Sequence, residues 1–204
     1  QVGGDYYDAI RLDNERVLIC IGDVSGKGVQ AALLMANLQA FLQSISKQNN
    51  DLISASNLLN DLVSDNTSDG RFITFFWGVL NDKTKDFESV NMGHNPPLLI
   101  RNGEIIKLKL GGMLMGVMPT ITPYRSELNK LMSDDILIMF SDGITEAMDE
   151  ENSEYSDEKL EELAISLKTM SANEILQKIL SDVRKFTHGI EQSDDITALV
   201  VKVI

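Results

Sequence analysis

Five aspartates stand where short hydrophobic runs meet turns, and their placement is the first chemical signal in the chain. Asp5 follows Gly3-Gly4, just before a run that opens at Tyr6. Asp23 lies in Gly22-Asp23-Val24-Ser25-Gly26-Lys27-Gly28, at the end of a second run. Asp142 closes Ile138-Met139-Phe140-Ser141-Asp142 and precedes Gly143, while Asp194 and Asp195 sit just ahead of Ile196. Singly, each is a turn residue or a cap. Together they point elsewhere, because strand ends in one sheet can converge on one edge. Carboxylates gathered there repel one another and are costly to desolvate, so a positive group must sit among them. The chain has two histidines, His94 and His188, and one cysteine, Cys20. That argues against a zinc site, whereas an all-oxygen donor set suits Mg²⁺ or Mn²⁺. Two such ions about 3.5–4 Å apart share a carboxylate, hold a water, lower its pKa and polarise a phosphoryl group. The chemistry is direct hydrolysis of a phosphate ester, with no covalent enzyme intermediate.

The elements that must position these groups follow from periodicity. Residues 6–13 and 16–22 read as two strands joined at Asp13-Asn14. After the glycine turn, Leu34, Leu38, Phe41 and Ile45 form a helical stripe, and Leu52, Ala55, Leu59 and Leu62 mark a second helix over 51–64. Past the Ser68-Asp69-Gly70 break, residues 72–80, 86–92, 97–101, 104–109 and 135–141 read as strands, with Asn102-Gly103 as a hairpin turn. Two helices then follow, one over 157–168 and one opened by the capping box Ser171-Ala172-Asn173-Glu174. The second carries Ile175, Ile179, Val183 and Phe186 on one face, and residues 196–203 close the chain as a strand. Runs of strands separated from runs of helices indicate α+β layering.

The 204 residues fit one domain. Acidic residues outnumber basic ones 31 to 18, for a net charge of −13. That excludes a nucleic-acid partner, which needs clustered Lys and Arg, and an anionic membrane surface. No apolar run approaches the ~20 residues of a membrane helix. No signal peptide is expected, and a lone cysteine in Val17-Leu18-Ile19-Cys20-Ile21 allows no internal disulfide framework, so the cytoplasm is the expected compartment. The chain opens without an initiator Met. It is expected to be a piece of a longer protein.

The motifs in order resemble the bacterial metal-dependent 2C-type serine/threonine phosphatases, in the branch of the sporulation phosphatase SpoIIE and the stress-response regulator RsbU. They are Gly3-Gly4-Asp5-Tyr6-Tyr7-Asp8, Gly22–Gly28 with Ala31-Ala32-Leu33-Leu34-Met35, Asn91-Met92-Gly93-His94-Asn95-Pro96-Pro97, Ser141-Asp142-Gly143-Ile144-Thr145-Glu146-Ala147 and Ser193-Asp194-Asp195-Ile196-Thr197. The resemblance covers essentially the whole chain. It implies a four-layer α-β-β-α sandwich of two mainly antiparallel sheets, with two Mn²⁺ or Mg²⁺ ions at one end. Asp23 would bridge the ions, aided by the Val24 carbonyl. Asp142 and Asp194 would complete the other shell, with Asp195 held as a supporting group. Asp5 would act nearby through water.

The resemblance further implies residues 1–204 as one phosphatase domain, short of its first strand and preceded by a sensor or receiver domain. Its substrate would be a phosphoserine or phosphothreonine on a STAS-type anti-sigma-factor antagonist. The helices after Asp23 would be the lever by which an upstream domain, or a homodimer contact, reshapes the site. Departures from the family pattern fall at Met113, Leu114 and Met115, where prolines are usual, and little effect is expected. No Arg lies in the opening motif and Ser25 follows Asp23 by two places, so phosphate binding and leaving-group protonation stay unassigned. Lys27 is a candidate phosphate contact, and His94 reads as a turn residue rather than a general acid.

Other classes fit less well. Gly26-Lys27-Gly28-Val29-Gln30-Ala31 matches the dinucleotide fingerprint only in its weak form, and no Walker loop exists. Cys20 lacks the following Arg of a cysteine phosphatase, and no Gly-x-Ser-x-Gly elbow is present. The remaining alternative is a degenerate phosphatase domain acting as a non-catalytic binding partner.

Overall fold

The computed structural model describes residues 4–48, 51–67, 70–190, 192 and 194–204. Gly3, Ser68, Asp69 and Ser193, which belong to the motifs and the break above, lie outside the described residues. In chain order the elements are β1 (Asp5–Arg11), β2 (Arg16–Val24), α1 (Val29–Gln48), α2 (Leu52–Asn66), β3 (Ile73–Asn81), β4 (Asp86–Met92), β5 (Leu98–Arg101), β6 (Glu104–Lys107), β7 (Glu127–Lys130), β8 (Ile136–Phe140), α3 (Asp142–Thr145), α4 (Asp157–Ser166), α5 (Ala172–Phe186) and β9 (Ala198–Lys202). The fold is α+β, with two antiparallel sheets and helices. The chain divides into two compact units, one running up to His94 with Lys109–Leu131, the other Asn95–Leu108 with Met132–Ile204.

The first unit holds the five-stranded sheet β1-β2-β3-β4-β7. One face of this sheet carries α1 and α2. Leu34, Leu38, Leu42 and Ile45 of α1 pack with Leu52, Ala55, Leu59 and Val63 of α2 against Leu18, Cys20, Val24, Phe75 and Trp77. Leu42 and Val63 join the expected stripes as fully buried members, and the expected Phe41 and Leu62 are half-buried and pack against the same core. Asp51 caps α2, accepting the Ser54 N–H at 2.9 Å. Burying each such Leu is worth about 1.5–3 kcal/mol.

The other face of α2 is buttoned to the long segment between β6 and β7. Asn60 Nδ2 donates to the Met118 carbonyl (3.0 Å) and Thr120 Oγ1 (2.9 Å), and its Oδ1 accepts from Gly116 N–H (3.0 Å). Asp61 accepts from Thr120 N–H and Asn57 from Tyr124 N–H. Asn60→Ala is expected to cost about 2–3 kcal/mol, since it strands a buried donor and a carbonyl. Urea unfolding would measure it, and a change under 0.5 kcal/mol, the ordinary surface-substitution range, would mean water replaces the amide.

The second unit holds the sheet β6-β5-β8-β9. Its helices α4 and α5 bury Leu160, Ala164, Ile175, Ile179 and Val183 against Ile100, Ile136, Ile138 and Phe140. The Ser171–Glu174 capping box forms as expected. Asn102 and Gly103 take φ of 54° and 88°, the two positive values that a tight hairpin turn requires. Asp135 is buried and accepts from Arg101, closest approach 2.6 Å, and from Met132 N–H.

Three elements differ from the sequence reading. β7, with sequence Glu-Leu-Asn-Lys, was not expected as a strand. It is an edge strand with Leu128 exposed, so no buried face marks it. Asp142 does not end a strand: β8 stops at Phe140, Ser141 takes the N-cap position, and Asp142 opens the one-turn helix α3. β9 starts at Ala198 rather than Ile196.

Candidate active site

In the first unit the pairing of β1 with β2 sets Asp5 directly opposite Asp23, and β3 sets Thr74 opposite Asp23 on its other side. Residues directly opposite in antiparallel strands share a face, with Cβ atoms about 4.5–5.5 Å apart. Asp5 and Asp23 therefore present two carboxylates together at one end of the sheet. Oδ2 of Asp5 is shut off from solvent. The missing side chain of Gly4 is required here, since a Cβ would come within 2.9 Å of the Val24 carbonyl oxygen and 3.0 Å of Asp23 Oδ1. The Val24 carbonyl and the Asp23 carboxylate thus border a single point, and Val24 N–H donates to the Gly4 carbonyl at 3.3 Å.

The loop after Val24 is fixed rather than loose. Ser25 N–H donates to the Phe72 carbonyl (2.9 Å), and Phe72 N–H donates to Ser25 Oγ (2.8 Å), which extends the β2–β3 ladder. Ser25 is thereby committed to structure. Gly26, at φ 90°, turns the chain toward α1. His94 is buried beside this end. Its Nδ1 lies 2.9 Å from Thr74 Oγ1, its N–H donates to Asn91 Oδ1, and its carbonyl accepts from Asn91 Nδ2. His94 sits in a turn, but Asn91 satisfies its backbone groups, and its own ring holds the Thr74 hydroxyl, the neighbour of Asp23. Cys20 is fully buried, and burial, then the nearby Asp8, push its thiol pKa up. It is inert as a nucleophile.

In the second unit the Asp142 turn and the Asp194–Asp195 segment lie against each other. A Cβ added at Gly143 would lie 2.0 Å from the Asp195 carbonyl oxygen and 3.6 Å from the Asp194 carbonyl carbon. Ser141 stitches the two together: its N–H donates to the Thr197 carbonyl (3.0 Å), its Oγ donates to the Asp195 carbonyl (3.3 Å), and Thr197 N–H donates to its Oγ (3.0 Å). Asp194 is exposed and its Oδ1 accepts the Asp195 N–H at 2.9 Å. The negative field here is felt by Glu146, whose pKa is raised by burial first and then by Asp142, Glu154 and Asp194.

Among the described residues, no three His, Cys, Asp or Glu side chains gather into one closed metal cage. The acids come instead as the Asp5–Asp23 pair of the first unit and the Asp142–Asp194 neighbourhood of the second. The donor set fits a hard divalent cation: oxygens only, facing carboxylates, a backbone carbonyl beside them, and glycine openings that a Cβ would fill. Thr74 was not singled out in the sequence, and Ser141 and Glu146 stood in a motif without a role. Ser141 and Gly143 carry a readable signal, since each adjoins an aspartate. Thr74 carries none, because only strand pairing brings it to Asp23. The dinucleotide reading fails structurally, as α1 leads into α2 and β2 pairs antiparallel with β3.

Comparison with known proteins identifies the fold and the family. The IcfG protein of Synechocystis sp. is 30% identical over 234 residues, covering 98% of this chain and 36% of that protein. Phosphoserine phosphatase RsbU of Bacillus subtilis is 28% identical over 204 residues, covering 99% of this chain and 60% of that one. The chain thus spans less than two thirds of the length of each of these curated relatives. The solved PP2C phosphatase domain of SpoIIE from Bacillus subtilis, the cell fate determinant, superimposes with a TM-score of 0.86 at 24% identity, over 100% of this chain and 59% of that one. The fold is therefore that of PP2C phosphatase domains. Residues 13–204 match the profile of Stage II sporulation protein E, and the chain belongs to that SpoIIE family.

Proposed function

We propose that this chain is a metal-dependent protein serine/threonine phosphatase that hydrolyses a phosphomonoester by direct attack of water. The observation that carries this reading is the Asp5–Asp23 pair, facing across β1 and β2 with the Val24 carbonyl alongside. Asp23 and the Val24 carbonyl would hold metal in the first unit, with Asp5 acting nearby through water, and Asp142 and Asp194 would hold metal in the second. Two Mn²⁺ or Mg²⁺ ions held there would lower the pKa of water and neutralise charge on the phosphoryl oxygens. The similarity to the phosphoserine phosphatase RsbU supports a phosphoserine substrate; we infer phosphoserine or phosphothreonine on a regulatory protein, a STAS-type antagonist of an anti-sigma factor.

The same reading makes residues 1–204 one catalytic domain of a longer signalling protein. An upstream domain, or a second copy of the chain, would act on α1 and α2, and the cytoplasm would be the place of action. Among the described residues no helix is long and apolar enough to cross a membrane.

The test is hydrolysis of p-nitrophenyl phosphate with added Mn²⁺, Mg²⁺ or EDTA. Turnover that needs the metal and stops in EDTA is expected. Silence with every metal, in this chain and in the full-length protein, would overturn the enzyme reading in favour of a non-catalytic binding domain.

A further inference from the structure

We propose that Arg71 is the residue that grips the substrate phosphate, a role the opening motif leaves empty; the assignment rests on the phosphatase reading above. Arg71 immediately precedes Phe72, whose backbone is bonded both ways to Ser25, two residues after Asp23. It therefore belongs to the end of the sheet that carries Asp5 and Asp23. Its side chain passes over Gly26, with Nε 4.0 Å from where a Cβ would stand. Beyond Gly26 its Nη2 donates to Gln30 Oε1 in the first turn of α1.

Two features make this more than a surface tie. First, Gln30 is neutral, so it orients the guanidinium without cancelling its charge. Among the described residues, Arg71 forms an ion pair with no carboxylate, although the chain carries a net charge of −13. Second, a guanidinium offers five N–H donors in a planar fork that matches phosphate oxygens. One is taken up by Gln30. An oriented, half-exposed cation beside facing carboxylates is what a phosphate dianion needs to approach an acidic site. Of the other polar groups nearby, His94 is engaged in its buried turn and Ser25 in the strand ladder, while Lys27, the contact expected from the sequence, is exposed.

The experiment compares wild type, Arg71→Ala and Arg71→Lys. Inorganic phosphate is titrated into each protein by calorimetry with Mg²⁺ present. KM and kcat for p-nitrophenyl phosphate and the half-saturating Mn²⁺ concentration are measured alongside. Arg71→Ala is expected to weaken phosphate binding about 10- to 100-fold, the loss of charge-assisted hydrogen bonds. KM should rise in step while the Mn²⁺ requirement and melting temperature hold, and Arg71→Lys should recover part of the loss. A wild-type protein that binds and turns over, with Arg71→Ala equal to it in phosphate affinity, would overturn this assignment alone. So would a loss that tracks Mn²⁺ affinity or melting temperature, since Arg71 would then only tie β3 to α1. A wild-type protein that neither binds phosphate nor hydrolyses the ester would overturn the phosphatase reading, and this assignment with it.

Discussion

Asp23→Asn is expected to reduce metal-dependent hydrolysis of p-nitrophenyl phosphate by at least about 10²–10³-fold, the scale of losing one electrostatic stabilising group, while leaving the fold intact. The amide is isosteric with the carboxylate, and the strand pairing of Asp23 to Asp5 and Thr74 is a backbone matter. Like charges directly opposite on a sheet destabilise it. In EDTA the variant should therefore be as stable as wild type, or more so by about 0.2–1 kcal/mol. Added Mg²⁺ or Mn²⁺ should reverse that order, because an ion that binds only the folded state stabilises it by mass action and the variant lacks the carboxylate proposed to hold it. Thermal melts with and without metal read this directly. If Asp23→Asn gains as much from the metal as wild type does, Asp23 does not hold the metal. Asp142→Ala should lose turnover in the same way, and activity surviving in both would end the two-metal mechanism.

The second large effect is predicted at a residue with no chemistry of its own. Gly143→Ala should cost about 1–3 kcal/mol, the range for overpacking a close-packed site, and should lower turnover steeply. The added methyl would meet the Asp195 carbonyl oxygen at 2.0 Å. That neighbour is backbone, so it cannot swing aside as a side-chain end would. The Asp194–Asp195 segment must move away from α3. In doing so it would strain the Ser141 bonds to Thr197 and Asp195 that hold the two stretches together. Asp142 and Asp194 would no longer keep their mutual placement, and the metal site proposed there would tolerate little displacement of its ligands. Gly189→Ala is the control: its φ of 85° carries strain, but nothing lies within 4 Å. A Gly143→Ala protein with wild-type turnover and melting would show that this contact relaxes freely.

Much of the scaffold was legible in the sequence because it is written in short-range spacing. The stripe of Leu34, Leu38 and Ile45 marks α1, and Ser171 with Glu174 starts α5. Asn102-Gly103 makes its hairpin because two consecutive positive φ angles select those residues. Each signal involves residues within a few positions of one another. The five motifs, read in order, likewise pointed to the family to which the chain belongs.

What only the tertiary structure decided is longer in range. Thr74 stands beside Asp23 because β3 pairs with β2, and it is held there by His94, twenty positions on. The side of α2 bearing Asn57, Asn60 and Asp61 is pinned to the 116–124 segment, although nothing local distinguishes these side chains from a solvated face. β7 exists because the edge of β4 was open to it, not because Glu-Leu-Asn-Lys favours a strand. Arg71 reaches Gln30 across 41 residues of sequence, over a glycine that happens to leave room. Local propensity and hydrophobic period specify which segments become helix or strand. Pairing register and close backbone approach specify which side chains meet, and those depend on residues too distant in the chain to leave a local pattern.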